Sequence, residues 1–181
     1  MNRVLYTEEQ HMNMLWLKLL MGSIWLGMFV LFGVAFYYQF ILKKPMGDDP
    51  VSDSGLIIIF FVSILPLAGT QWLLRSLRLI TEVREDGLYF RYPPFISKFK
   101  VYAPGQIKEY EVRKYQPIKE YGGWGLRMGN KKVGWAYNVS GDMGLQLVLA
   151  DGKRILIGTG RPEALKKAMD RMMNKSALHG E

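Results

Sequence analysis

The chain has 181 residues, 49% of them hydrophobic, a formal charge of +8 and no cysteine. Such a length suits about one ordinary domain. The lack of cysteine excludes disulfides, thiolate nucleophiles and cysteine-ligated metals. Two histidines, His11 and His179, give a histidine-based dyad, triad or metal site too little to build on.

The hydrophobic residues are concentrated before residue 75. Leu19 to Leu42 is a run of 24 residues without a charge, and at about 1.5 Å per residue it reaches roughly 36 Å, more than a hydrocarbon core of about 30 Å. Ser54 to Leu74 is a second uncharged run. The pattern predicts two transmembrane helices, over about residues 19–42 and 55–74, and hence an integral membrane protein. Ala35 is followed by Phe36, Tyr37 and Tyr38 instead of a small-residue cleavage site, so the first run reads as a retained anchor. Tyr6-Thr7-Glu8-Glu9-Gln10 reads as a helix start, with Thr7 as N-cap and Gln10 in the reciprocal capping-box position. Residues 1–78 are therefore assigned to a helix start followed by a two-helix hairpin.

Trp16, Lys18, Trp72 and Arg75 mark one membrane interface, and Tyr37, Tyr38 and Gln39 the other. The connection 43–54 carries two prolines, Gly47 and three aspartates, a polar loop between antiparallel helices. Ser23 and Gly27 form a small-xxx-small pair, Pro66 predicts a kink, and Gly69 lies close to it; these four are the helix-packing candidates. Arg3, Lys18, Arg75, Arg78 and Arg84 flank one side of the spans against Lys43 and Lys44 in the loop, a bias that predicts both termini in the cytoplasm.

From Ile80 onwards the period changes. Short segments separated by turn residues predict strands over 87–92, 95–102, 107–115, 124–128, 133–139, 144–149 and 154–157. Asp151-Gly152, between two alternating apolar segments, is the strongest hairpin signal in the chain. Pro162 and Glu163 then open a helix whose Leu165, Ala168, Met169 and Met172 form one apolar stripe, which must cover an open part of the β structure. The chain is thus expected to be a membrane α-helical hairpin joined to a mostly β (α+β) domain of about seven strands with a C-terminal amphipathic helix. That domain occupies residues 79–176, and 177–181 is a tail.

The segments Tyr6–Gln10, Tyr121-Gly122-Gly123-Trp124-Gly125-Leu126-Arg127, Asp151-Gly152-Lys153-Arg154 and Ile157-Gly158-Thr159-Gly160-Arg161-Pro162-Glu163-Ala164-Leu165 resemble, in this order, an uncharacterised group of small bacterial membrane proteins. In that group a pleckstrin-homology-like domain stands behind a two-helix hairpin. The resemblance covers nearly the whole chain and implies fold, topology and the inner membrane of a bacterium as the location; it carries no activity.

From residue 79 on, 18 Lys and Arg face 11 Asp and Glu, a net +7, which suits an anionic leaflet or an acidic partner. In pleckstrin-homology domains that bind phosphoinositides, basic residues lie on the first two strands. Arg91, Lys98 and Lys100 occupy a loosely similar place and form the candidate headgroup patch. Lys131-Lys132 and Lys153-Arg154 read as ordinary turn charges. Gly122-Gly123-Trp124-Gly125 lacks the remaining parts of a phosphate loop and precedes a strand, so its glycines read as a bulge or tight turn. Glu109, Glu111 and Glu120 alternate with Lys108, Arg113, Lys114 and Lys119 as ion pairs on a sheet face. The expectation is a non-enzymatic membrane-anchored interaction module without metal or cofactor. Its partners would be membrane lipids and a protein or a second copy, with nucleic acid disfavoured; the alternative is a small accessory subunit of a larger membrane complex.

Overall fold

The structure, a computed structural model, describes residues 3–45, 47, 49–129 and 133–178. Lys131, Lys132 and His179, all named above, lie outside the described residues. The chain forms two compact units: Asn13–Arg75, and Met1–Met12 together with Ser76–Glu181.

The first unit is a helical hairpin. Helix α1 (Leu15–Phe36) runs into one wide π turn at Tyr37–Ile41, and α2 covers Asp53–Ser76. Helix α1 begins earlier than its uncharged run does, because Leu15, Trp16 and Leu17 extend the apolar pattern past Lys18, and α2 begins at Asp53, whose charge suits a helix N-terminus. Each is long and apolar enough to cross a membrane, and only 11% and 6% of their most apolar stretches are buried within the chain. Neither is buried in a core of this chain. The two pack through aromatic edges, Phe60 lying 5.1 Å from Phe32 and 5.4 Å from Phe36 between ring centroids. Near the loop, the Gln39 side-chain amide donates to Asp53 Oδ1 (2.8 Å) and to the Val51 carbonyl (3.0 Å). Pro66 lies inside α2 without ending it.

The second unit holds nine strands among the described residues, against about seven expected. Strands β1 (Val4–His11), β2 (Arg78–Arg84), β3 (Gly87–Tyr92) and β4 (Ile96–Tyr102) form an antiparallel sheet in that order. Strands β5 (Ile107–Lys114), β6 (Gly125–Met128), β7 (Trp135–Asn138), β8 (Met143–Leu149) and β9 (Arg154–Gly158) form a second sheet, ordered β5-β8-β9-β7-β6. The pairing β7–β9 is parallel and the rest antiparallel. All seven strands read from the sequence are present within a residue or two. The Asp151-Gly152 turn joins β8 to β9, and Gly152 takes the left-handed φ of 79° that this dipeptide supplies.

The first strand overturns the helix start predicted at Tyr6–Gln10. Residues 4–11 are extended and pair with β2 from Val4↔Arg84 to His11↔Arg78. Local capping chemistry loses here to tertiary contacts. The Glu8 carboxylate is only 7% exposed. It accepts the Gly160 N–H (2.9 Å), the Thr159 hydroxyl (2.8 Å) and the Tyr6 hydroxyl. The Gln10 amide donates to the Gly158 carbonyl (2.8 Å), and the Arg161 guanidinium donates to the Thr7 carbonyl while lying over the Tyr6 ring. Burial and the bond to Glu8 push the Tyr6 hydroxyl well above its usual pKa. The domain thus begins with the first strand, and the helical hairpin is an insertion between two neighbouring strands of its sheet.

Helix α4 (Pro162–Leu178) follows directly from that junction. Glu8 places a negative charge at its N-terminus, where the free N–H groups favour one. Leu165, Met169 and Met172 are fully buried and Ala168 is 4% exposed, while Lys166, Lys167 and Arg171 are exposed. The helix touches β1 and β2 of one sheet and β5 and β8 of the other, so its stripe closes the core between them.

Two outcomes follow. A soluble protein made by joining residues 1–12 to 76–181 through a short turn should fold cooperatively, whereas residues 76–181 alone, lacking the Glu8 and Tyr6 contacts, should not; urea titration followed by circular dichroism separates them. In the joined protein, Met169→Asp should lower stability by roughly 2–5 kcal/mol, because an apolar contact becomes a buried unpaired charge, and Lys166→Asp should leave the midpoint nearly unchanged.

Candidate functional site

Among the described residues, two of the hollows on the β domain have charged linings that share Arg154. The larger, about 710 Å³, lies over β5 and β8. Its Arg113 is matched. Arg113 donates to Glu120 (2.7 Å) and to Gln146 Oε1 (3.0 Å), and Glu120 also accepts the Gln116 N–H (2.7 Å). Arg113 holds the Glu120 carboxyl below its ordinary pKa. At the margin, burial and a bond to Asp170 (2.8 Å) push the Tyr110 hydroxyl up to about 12. Of the acids expected to pair on this sheet face, Glu120 pairs with Arg113 and Glu109 lies 4.0 Å from Lys108. Glu120 lies off the sheet, on a short helix, α3 (Pro117–Tyr121), which the sequence pattern does not announce. Gly122 caps α3 at φ 72°, its N–H bonding to the Ile118 carbonyl and that of Gly123 to Pro117. That is the structural part played by the glycine cluster.

The smaller hollow, about 470 Å³, runs between β4 and the strands β6, β7 and β9. Its lining includes Lys100, Lys153, Arg154, Trp135, Tyr137 and Leu126, with no acid among the lining residues. Lys100 reaches it because β4 pairs with β3 through Phe90↔Lys100, which puts Lys100 on the side of the sheet that carries the buried Phe90. Its ammonium lies 3.3 Å from the Tyr137 hydroxyl and 5.4 Å from the ring centre. Lys153 is held by Asp151 (2.6 Å), which lowers the pKa of that aspartate. Trp135 is 43% exposed, and Met128, its neighbour across the β6–β7 ladder, is 69% exposed. The backbone closes tightly behind them: a Cβ on Gly134 would stand 2.0 Å from the Arg154 carbonyl oxygen, and its φ is 76°. Strands β4 and β6 are edge strands of their sheets, so main-chain groups border the groove on both sides.

The headgroup patch read from the sequence does not come together as one surface. Arg91 and the pair Lys98, Lys100 lie on opposite faces of the first sheet, since strand alternation sets Arg91 against Phe90 and Tyr92. The Arg91 guanidinium lies 4.9 Å above the Phe99 ring, on a face shared with Tyr89 and Arg84. Lys98 is exposed. Lys100 instead joins Lys153 and Arg154, which sequence reasoning treated as plain turn charges. Among the helix-packing candidates, Ser23, Gly27, Pro66 and Gly69 are exposed and lie outside the Phe32–Phe60 contact. Ser23 returns its hydroxyl to the Leu20 carbonyl (2.8 Å). Among the described residues no group of three or more His, Cys, Asp or Glu could hold a metal ion.

A small α+β domain with a hairpin of two apolar helices inserted behind its first strand, and a basic, aromatic groove, is the class of protein that these observations define. The chain belongs to a family of unknown function, DUF6141, whose model matches residues 4–176. That match takes in the first strand, the inserted hairpin and most of the last helix. No curated protein and no solved structure matches the chain.

The Arg113–Glu120 pair sets a pH dependence. A carboxyl whose folded pKa is depressed adds stability above its unfolded pKa, and that contribution is lost as the pH falls through the folded value. In the joined soluble protein, Glu120→Gln should lower the urea midpoint at neutral pH, and its gap from the parent should close as the pH falls below about 4. A gap independent of pH would assign the effect to packing.

Proposed function

We propose that this protein is a non-enzymatic, membrane-anchored interaction module whose β domain, pleckstrin-homology-like in plan, holds an acidic segment of a partner protein in the groove between β4 and β7. The helices cross the bilayer as a hairpin, in the inner membrane of a bacterium, with both termini and the domain in the cytoplasm. The positive-inside bias of Lys18, Arg75, Arg78 and Arg84 over Lys43 and Lys44 supports that orientation. The even number of crossings agrees with a hairpin that leaves from and returns to adjacent strands.

The pleckstrin-homology reading is supported by three parts in order: the four-strand meander β1–β4, the antiparallel trio β5, β8 and β9, and the closing helix α4. On this reading the apolar hairpin fills the first loop, and β6–β7 is an added ribbon held by a parallel pairing.

The observation that carries the functional reading is the groove. It sets Lys100, Lys153 and Arg154 around a half-exposed tryptophan, with Lys153 paired to Asp151 at its margin. Tryptophan and arginine are residue types enriched in interface cores, and a basic lining steers an acidic partner. Free edges on both sides suit strand addition by an extended segment. The cations gather toward the Tyr102 end of β4, the opposite end of the first sheet from His11 and Arg78, where the chain leaves for the helices. Lipid headgroups are for that reason the weaker candidate for this groove. The accessory-subunit reading rests on Ser23, Gly27, Pro66 and Gly69, which the hairpin leaves unburied.

A photo-crosslinking amino acid at Trp135 of the full chain, in native membranes, should yield a discrete protein adduct that disappears with Lys153→Glu and Arg154→Glu together and weakens with salt. The same probe at Val4, on the far edge of the first sheet, should not yield it. Adducts shared by both positions would contradict the reading. Binding of the joined soluble protein to anionic liposomes that is abolished by the same pair of changes would transfer the groove to lipid.

A further inference from the structure

The first sheet has one end from which both apolar helices leave. Leu15, the first residue of α1, is four positions after His11, and Ser76, the last of α2, is two positions before Arg78, a step of roughly 7 Å in extended chain. The β3–β4 turn is at this same end. The Arg78 N–H donates to the Pro93 carbonyl (3.2 Å), and the pair Tyr92↔Ile96 closes the turn over Pro93, Pro94 and Phe95.

Phe95 at its tip is 58% exposed. A phenyl ring held out by a proline-stiffened turn leaves most of its surface outside its own fold. The charge nearby is positive. Lys98 is exposed three positions further along, and Arg78 is half exposed, with Glu9 as its partner (3.2 Å) and His11 beside that carboxylate (3.4 Å). Trp16 and Trp72, 55% and 65% exposed, stand near the ends of α1 and α2 from which the chain continues into this sheet, the place of an aromatic belt. An apolar tip with basic residues around it is the composition of an interfacial membrane contact.

We propose that the Pro93-Pro94-Phe95 turn is a membrane-contacting element: Phe95 enters the interfacial layer of the leaflet that the helices start from, and Lys98 and Arg78 face its anionic headgroups. This rests on the membrane reading of α1 and α2 and is independent of what the groove binds.

The chain has no cysteine, so one introduced thiol reports one position. The full-length protein would carry a nitroxide at Phe95→Cys, Val101→Cys or Val30→Cys in vesicles of equal parts phosphatidylglycerol and phosphatidylcholine. Val101 is on the same strand at its other end and 45% exposed; Val30 is in the middle of α1. The label at 95 should resemble that at 30, accessible to oxygen and shielded from a water-soluble nickel chelate, whereas the label at 101 should be open to nickel. Because Phe95→Cys itself removes the phenyl, a label at Ser97→Cys reads the turn with Phe95 intact; it should lose its shielding when Phe95→Asp is added and keep it in the parent. Nickel access at 95 and 97 equal to that at 101, with 30 shielded, would overturn the contact alone. Nickel access at 30 as well would overturn the membrane reading beneath it. Shielding at 95 that vanishes on dilution of the protein in lipid would assign Phe95 to a second copy and reject the lipid contact.

Discussion

Pairing of Val4–His11 with Arg78–Arg84 is the constraint on which the rest of the molecule depends. It brings together segments separated by 66 residues, measured from His11 to Arg78, and everything between them is the apolar hairpin and its short connections. Closing so long a loop carries an entropy cost that grows only slowly with length. The buried Glu8 offsets it, with three donors around its carboxylate and the start of α4 beneath. The same carboxylate completes the first sheet, satisfies the approach to the last helix and fixes where both apolar helices attach. Without it the core between the sheets would lose a wall and α4 would lose its anchor.

Insertion at a strand end gives the helical hairpin two connections to the sheet, at adjacent strands. The basic groove is bordered by two edge strands and has Trp135 in its lining. In the hollow over β5 and β8, Arg113 and Glu120 neutralise each other and three glutamates stand in the lining, whereas the groove lining holds no acid.

Much of this was legible in the sequence. The two apolar helices follow from uncharged length, the β8–β9 hairpin from Asp151-Gly152, and the buried stripe Leu165, Ala168, Met169 and Met172 from its spacing. The first strand was not legible, and the reason is specific. Its inward positions are Tyr6, Glu8 and Gln10, two of them polar, so the period-2 apolar signal is missing. Their partners, Gly158 to Gly160, lie about 150 positions away. Meanwhile Thr7 and Gln10 mimic a capping box. The groove was missed for a related reason. Lys153-Arg154 after Asp-Gly looks like solvent decoration until the parallel pairing of β7 with β9 sets Trp135 beside Ile155. A parallel pairing between strands so near in sequence leaves no local mark. Arg91, Lys98 and Lys100 look like one patch in the sequence, but a strand turns alternate side chains to opposite faces, and Arg91 falls on the wrong one.

Trapping the first strand in place within the full-length chain is the most direct test. Thr7 and Glu82 face each other across the β1–β2 ladder, at a separation that a disulfide can span. With Thr7→Cys and Glu82→Cys as the chain's two thiols, mild oxidation in native membranes should close an intramolecular bridge rapidly. The offset pair Thr7→Cys and Thr81→Cys, whose side chains point to opposite faces, should stay reduced. Equal oxidation of both pairs, or of neither, would mean that the first strand is not where the structure puts it, and that the hairpin is not an insertion within the sheet.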